Sequence, residues 1–374
     1  MSDAQLVFAT DGDRVATWDA GLDEGQRERM ARLEREQTWL SLHDHPIRLP
    51  DPMTPEVWAR YAAEEHERVA VDGLRRSGMR GVFYSMLGSD DLNLIVRWAA
   101  RTRAFALTTP GFFVAERGDA VDRARASGDI ALFLSLETIG SVDGVLERVD
   151  LLFGAGIRSA GLTYNSPNTL GHGLLSPENG GLTPFGRQVV RRMNELGILV
   201  DLGHVGDRTS LDAAETTQRP LVISHAGARA LWDSPRLKPD EVIRACAQTG
   251  GVIGIEAAPH TTLTYDHRTH DIDAVMAHVA YCVELVGVDH VALGADTMFG
   301  DHLGLHRLHP SRLPAPEHPM VEYVHGFENP GECHRNAAAW LIRHGYPDDA
   351  IAKILGGNVE RVVRAVLPAA EGAR

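Results

Sequence analysis

Eight short apolar runs alternate with amphipathic stretches along this chain, and no other feature restricts its fold as much. The runs are Thr38–His43, Gly81–Met86, Ile130–Glu137, Ile157–Tyr164, Ile198–His204, Pro220–His225, Gly251–Glu256 and His290–Asp296. Runs that are apolar on both faces are the pattern of buried parallel strands. Between most of them lie Asp90–Arg103, Val142–Ala155, Pro184–Leu196, Asp207–Thr217, Pro239–Gln248 and Ile272–Val286, each with apolar residues at helical spacing. Gly156 and Gly197 stand where helix C-caps should be. Strict alternation through eight units predicts an α/β protein of the (β/α)8 TIM-barrel type over an open, doubly wound sheet.

The remaining segments fit one domain over 1–374. Residues 1–37 form an N-terminal extension with a charged helix, Asp23–Gln37, expected to cap the barrel floor. Residues 301–327 are a long loop rich in histidine and proline, of the length that lids and binding loops have. Glu332–His344 and Asp348–Leu367 read as two closing helices.

Net charge is −14, from 37 basic and 51 acidic residues, and no basic stripe is visible. That argues against nucleic acid or an anionic membrane as partner, because a polyanion needs a concentrated positive surface. The three cysteines form no C-x-x-C pair, and the N-terminus lacks a basic start followed by an apolar stretch. No apolar run approaches the roughly 18–20 residues of a membrane span. Reduced thiols and a cytoplasmic location are the expectation.

In barrels of this type the carboxyl ends of the strands carry the chemistry. Here they carry ionisable groups. The first strand runs into His43-Asp44-His45, the third ends in Glu137, the fifth and sixth in His204 and His225, and the eighth in Asp296. Alternate residues of a strand share a face, so His43 and His45 can both look into the barrel mouth. Four imidazoles bridged by Glu137 would hold two divalent ions, Zn²⁺ first, with Mn²⁺, Fe²⁺ or Co²⁺ as alternatives. By strand parity Asp201 and Asp44 face away, where they would pack or orient an imidazole.

The stretch GLTPFGRQVVRRMNELGILVDLGHVGDRTSLD at 181–212, followed by SHAGARALWDSPR at 224–236, resembles the renal or membrane dipeptidases. These are the M19 peptidases of the amidohydrolase superfamily. GFENP at 326–330 and KILGGNVERV at 353–362 match the C-terminal end of that family, so the likeness covers roughly 38–367. It implies a zinc-dependent, homodimeric hydrolase. In it Glu137 would bridge the metals, His204 and His225 would bind the second metal, and Asp296 would be the acid–base group. Arg236 would hold the substrate carboxylate.

The chain departs from the family at four places. His43-Asp44-His45 replaces His-x-Asp, Tyr164 replaces a substrate-facing histidine, and Glu256 replaces an asparagine. Asp296-Thr297-Met298-Phe299 replaces Asp-Phe-Asp-Gly. The expected reaction is metal-assisted hydrolysis of an amide or peptide bond in a dipeptide or similar small carboxylate-bearing substrate. Tyr164 would donate to the oxyanion, and Tyr164 and Glu256 would set specificity. The alternative is a non-peptidase amidohydrolase acting on an N-acyl amino acid, cyclic amide or lactone.

Overall fold

Parallel pairing joins the strands found among the described residues. The computed structural model describes residues 6–8, 17–64, 67–258, 263–308 and 324–370. The strands are β1 (Trp39–Asp44), β2 (Met79–Met86), β3 (Phe112–Val114), β4 (Ile130–Leu136) and β5 (Ile157–Gly161). They continue with β6 (Leu199–Asp201), β7 (Val222–Ala226), β8 (Val252–Ile255) and β9 (Val291–Leu293). The pairing order is β1-β2-β4-β5-β6-β7-β8-β9, and β3 pairs only with β4, outside that path. The ring closes where β9 runs on beside β1: Asp296 N–H donates to His43 O (3.1 Å) and His45 N–H to Thr297 O (3.2 Å). Eight barrel strands with helices between them make the predicted (β/α)8 barrel.

Side chains fill the barrel. Leu40, Leu42, Phe83, Ala131, Phe133, Leu199, Val222, Val252 and Ala292 pack into one buried cluster. Val359, Val362, Val363 and Val366 of the C-terminal helix Asn358–Val366 belong to the same cluster, so this helix plugs one end. The outward residues of the strands pack in a second, larger layer against the helices. Among the described residues no helix is long and apolar enough to cross a membrane.

Several segments differ from the sequence expectation. The C-terminal helix is interrupted: Asp348–Ala352 passes through a widened turn, Lys353–Gly357, before Asn358–Val366. The reason is close approach to β1, since a Cβ on Gly356 would sit 2.2 Å from Thr38 O. Asn358 Nδ2 then donates to Val288 O (2.7 Å) and Val291 O (2.8 Å), tying this turn to β9. The GGN of the C-terminal motif is therefore a structural joint. Strand β3 and the short helices Pro55–Glu64, Val71–Arg76 and Ala120–Ser127 are additional elements. The 301–327 segment opens with a helix, His302–Leu308, and its residues 309–323 lie outside the described residues. The N-terminal helix, Glu24–Glu36, starts with an Asp23–Gln26 capping box and is tied to the C-terminal helices by Arg29 and Arg32 on Asp348 and by Glu34 on Arg335.

Candidate metal centre

The functional candidates meet at one rim, and small irregularities of the strands aim them there. The β1–β2 register slips by one residue between Ser41 and Asp44, and the β7–β8 register slips between Ile223 and Ala226. Leu42 and Val222 lie in the inner cluster, so uninterrupted alternation would turn His43 and His225 away from the interior. Each slip re-aims the histidine that follows, a use to which bulges beside functional sites are often put. Glu137 and Glu256 directly follow β4 and β8, whereas Tyr164, His204 and Asp296 stand three residues beyond β5, β6 and β9. Asp296 adopts φ 55°, a left-handed conformation uncommon for a non-glycine residue and frequent at sites where geometry is enforced.

His43, Glu137, His225 and Asp296 each offer a donor atom, all within 4.8 Å of one another. His45 Nε2 lies 2.9 Å from Glu137 Oε1 and 3.4 Å from Asp296 Oδ1. His43 Nε2 is 3.7 Å and 3.5 Å from the same two oxygens. His204 Nε2 is 3.1 Å from His225 Nε2. All five expected metal-binding residues are thus in one cluster, and Asp296, expected as the proton-transfer group, sits among them.

Hydrogen bonds on the outer ring nitrogens define the tautomers. His45 Nδ1 is 2.9 Å from Ser85 O, which can only accept, so Nδ1 carries the proton. Asp201 accepts the Ser224 hydroxyl proton at 2.6 Å, so Ser224 Oγ in turn accepts from His225 Nδ1 at 2.7 Å. His204 Nδ1 faces Asn165 Oδ1 at 3.0 Å. With Nδ1 engaged outward, all three rings turn Nε2 inward, and on His204 and His225, which burial keeps neutral, that atom is a lone pair in the orientation that suits metal ligation. Two such lone pairs 3.1 Å apart, on His204 and His225, repel unless a cation or proton lies between them. Among the described residues, both ring nitrogens of buried His43 lack a hydrogen-bond partner. This donor set fits a divalent metal.

The electrostatics point the same way. Burial opposes charge on His43 and His45, but the Asp296 and Glu137 carboxylates outweigh it, raising His43 to about 9 and His45 well above its ordinary value. Burial works against ionising Glu137 and Asp296 as well, yet His43 and His45 hold both well below the carboxylate range. Burial lowers His204 and His225, with help from Arg236. The centre favours ionised carboxylates and a compensating positive charge between them.

The neighbouring shell is equally built. Asp44 accepts from Thr297 N (3.0 Å) and Thr297 Oγ1 (2.9 Å), and from the Ser41 hydroxyl. Asp201 accepts from Gly203 N (2.9 Å) and Ser224 N (2.8 Å). The Tyr164 ring stacks on His204 at 4.0 Å. Arg236 Nη1 donates to Gly203 O (3.1 Å), and its Nη2 is 2.6 Å from Glu256 Oε2. Sequence reasoning did not find Ser224, Asn165 or the Ser85 carbonyl. The available signal was a serine directly before His225 and an asparagine directly after Tyr164.

Residues 29–306 match the family profile described as membrane dipeptidase, peptidase family M19. The chain belongs to that family. By membership it is a metal-dependent hydrolase. Among its relatives is an uncharacterized protein of the pqqA 5′ region of Klebsiella pneumoniae, 31% identical over 203 residues, 50% of this chain and 75% of that one. Dipeptidase tcpJ of Claviceps purpurea is 29% identical over 255 residues, 68% of this chain but only 55% of that protein. A crystal structure of an amidohydrolase from Pseudomonas aeruginosa superposes with TM-score 0.73 at 21% identity, covering 90% of this chain and 99% of that one. A metallopeptidase from Rhodobacter sphaeroides, solved with a phosphinate mimic of the dipeptide L-Ala-D-Ala, gives TM-score 0.65 at 19% identity, covering 88% and 99%. At these identities the structural likeness speaks to the fold.

Proposed function

We propose that this M19 member hydrolyses the amide bond of a dipeptide or similarly small substrate, using two divalent ions, Zn²⁺ first, held by His43, His45, Glu137, His204 and His225. The observation that carries the reading is the convergence of the Nε2 atoms of four histidines with the Glu137 and Asp296 carboxylates, His204 and His225 Nε2 being only 3.1 Å apart. Bound there, the metal supplies a Lewis acid and brings the pKa of a water down toward about 7.

The chain's own groups do the rest. Glu137, within 4.8 Å of donor atoms on both His43 and His225, would serve both metal positions. Asp296 Oδ1, within 3.5 Å of His43 and 3.4 Å of His45, accepts the proton of the attacking water and passes it to the leaving nitrogen. Tyr164, fixed by stacking on His204, donates to the scissile oxygen as negative charge develops there. Arg236 faces the far end of the substrate.

The test couples metal analysis with a substrate panel. Protein expressed with metal supplied should contain near two equivalents per chain. L-L and L-D dipeptides, N-acyl amino acids, cyclic amides and lactones, assayed with Zn²⁺ or Mn²⁺, should show turnover confined to amide bonds. A content that stays at or below one equivalent removes the bridged pair, and turnover of lactones alone removes the amidase reading. A second reading, a non-peptide amide as substrate, is favoured by one observation: Arg236 is in contact with Glu256.

A further inference from the structure

Arg236 follows β7 and Glu256 follows β8, and their side chains meet at the rim beside the metal centre. Arg236 Nη2 is 2.6 Å from Glu256 Oε2; Glu256 is wholly buried and the Arg236 side chain is 14% exposed. Arg236 also donates to the carbonyl of Gly203, the residue before His204. Glu256 N–H donates to Ala226 O (3.0 Å), the residue after His225. The pair is therefore anchored to the loop after β6, which carries His204, and to β7, which carries His225.

A lone guanidinium at this place would draw a carboxylate, because its planar donors match two carboxylate oxygens. Here an internal carboxylate already occupies that partnership. The pair has no net charge, and a second carboxylate entering it would stand beside Glu256 in a water-poor rim, where like charges repel strongly. A neutral carboxamide meets no such repulsion. Its oxygen accepts from Arg236, and its N–H donates to Glu256, so donor and acceptor are both used. We infer that the Arg236–Glu256 pair makes this chain select substrates whose end facing Arg236 is an uncharged carboxamide, such as a dipeptide amide, over those ending in a free carboxylate. This rests on the amide-hydrolase reading above.

The experiment compares L-alanyl-L-alanine with L-alanyl-L-alaninamide on the metal-loaded protein. The second-order rate constant kcat/KM should favour the amide by about tenfold or more. Glu256→Gln keeps the shape and removes the charge, so the free acid should become the better substrate. A wild-type ratio at or below one overturns the inference, as does a ratio that Glu256→Gln leaves unchanged. The wild-type ratio decides by itself if the variant does not fold. If neither compound is hydrolysed, the function proposed above fails. Calorimetric binding of N-acetyl-L-alanine and N-acetyl-L-alaninamide then tests the pair separately, with tighter binding of the amide expected and tighter binding of the acid overturning it.

Discussion

At the residue scale, each imidazole is prepared from behind. Ser224 relays Asp201 to His225, so the hydroxyl fixes which ring nitrogen keeps its proton. Ser224→Ala should leave the barrel folded and weaken metal retention by about 10–100-fold, the range for losing an outer partner of a ligand. Competition with a chelator, followed by metal analysis, measures it; unchanged retention would show that the ring is held by packing alone. Glu137 should behave differently, because its carboxylate lies within 4.8 Å of donor atoms on both His43 and His225, one from each proposed pair. Glu137→Gln is expected to cost more metal than His45→Ala or His204→Ala. The types of these residues were legible in the sequence, since apolar runs end in them. Their outer partners were not, because an Nδ1 contact depends on loop path and ring rotation. The Arg236–Glu256 contact was hidden for the same reason: it spans two separate βα loops.

At the element scale, periodicity revealed the eight barrel strands and most of the long helices, and Pro184–Leu196 and Ile272–Val286 match residue for residue. It did not reveal the slips in β1 and β7, because one extra residue leaves an apolar run looking the same while turning the next side chain over. Nor did it reveal the interrupted C-terminal helix, whose apolar pattern continues through Gly356. Gly356→Ala should lower Tm by several degrees, since overpacking against Thr38 O typically costs about 1–3 kcal/mol and β1 cannot retreat without opening the ring.

The loop after β7 makes a second prediction. Buried Lys238 donates to Val205 O at 2.6 Å, next to His204. Burial, then the nearby Arg236, lowers its pKa to about 7 from an ordinary 10.5. Between those values the unfolded chain keeps the proton and the folded chain has released it, so rising pH favours folding. Unfolding free energies at pH 7, 8 and 9 should therefore gain a positive contribution of about 1.4 kcal/mol per pH unit from this group. Lys238→Met should remove that part of the slope; equal slopes in both proteins would place the ammonium in water.

At the scale of the whole molecule, the candidate metal centre lies on the seam of the barrel. The last strand meets the first through Asp296 N–H on His43 O and His45 N–H on Thr297 O, so proposed ligands make the closing backbone bonds. Asp44, between the two histidines, holds Thr297, which follows Asp296. Neighbouring residues thus divide the work: His43, His45 and Asp296 gather inward, while Asp44 and Thr297 join the strands. A metal held by the proposed ligands would draw β1, β4, the loop after β6 and β7 together, beside Asp296 on the β9 extension, and it would bind only the closed ring. Binding to the folded state alone stabilises it by about 2.7 kcal/mol at a hundredfold excess over Kd. In a large domain each kcal/mol moves Tm by about 2–4 °C or somewhat less. Protein stripped by chelation should therefore melt several degrees lower and regain its Tm with added Zn²⁺. Asp44→Ala should lower the Tm of the stripped protein and weaken metal binding as well, though its side chain faces away from the cluster. If Asp44→Ala lowers Tm with metal affinity unchanged, closure and binding are separate, and the seam is an accident of position. If stripping leaves the wild-type Tm where it was, the ring closes without help and the centre serves chemistry alone.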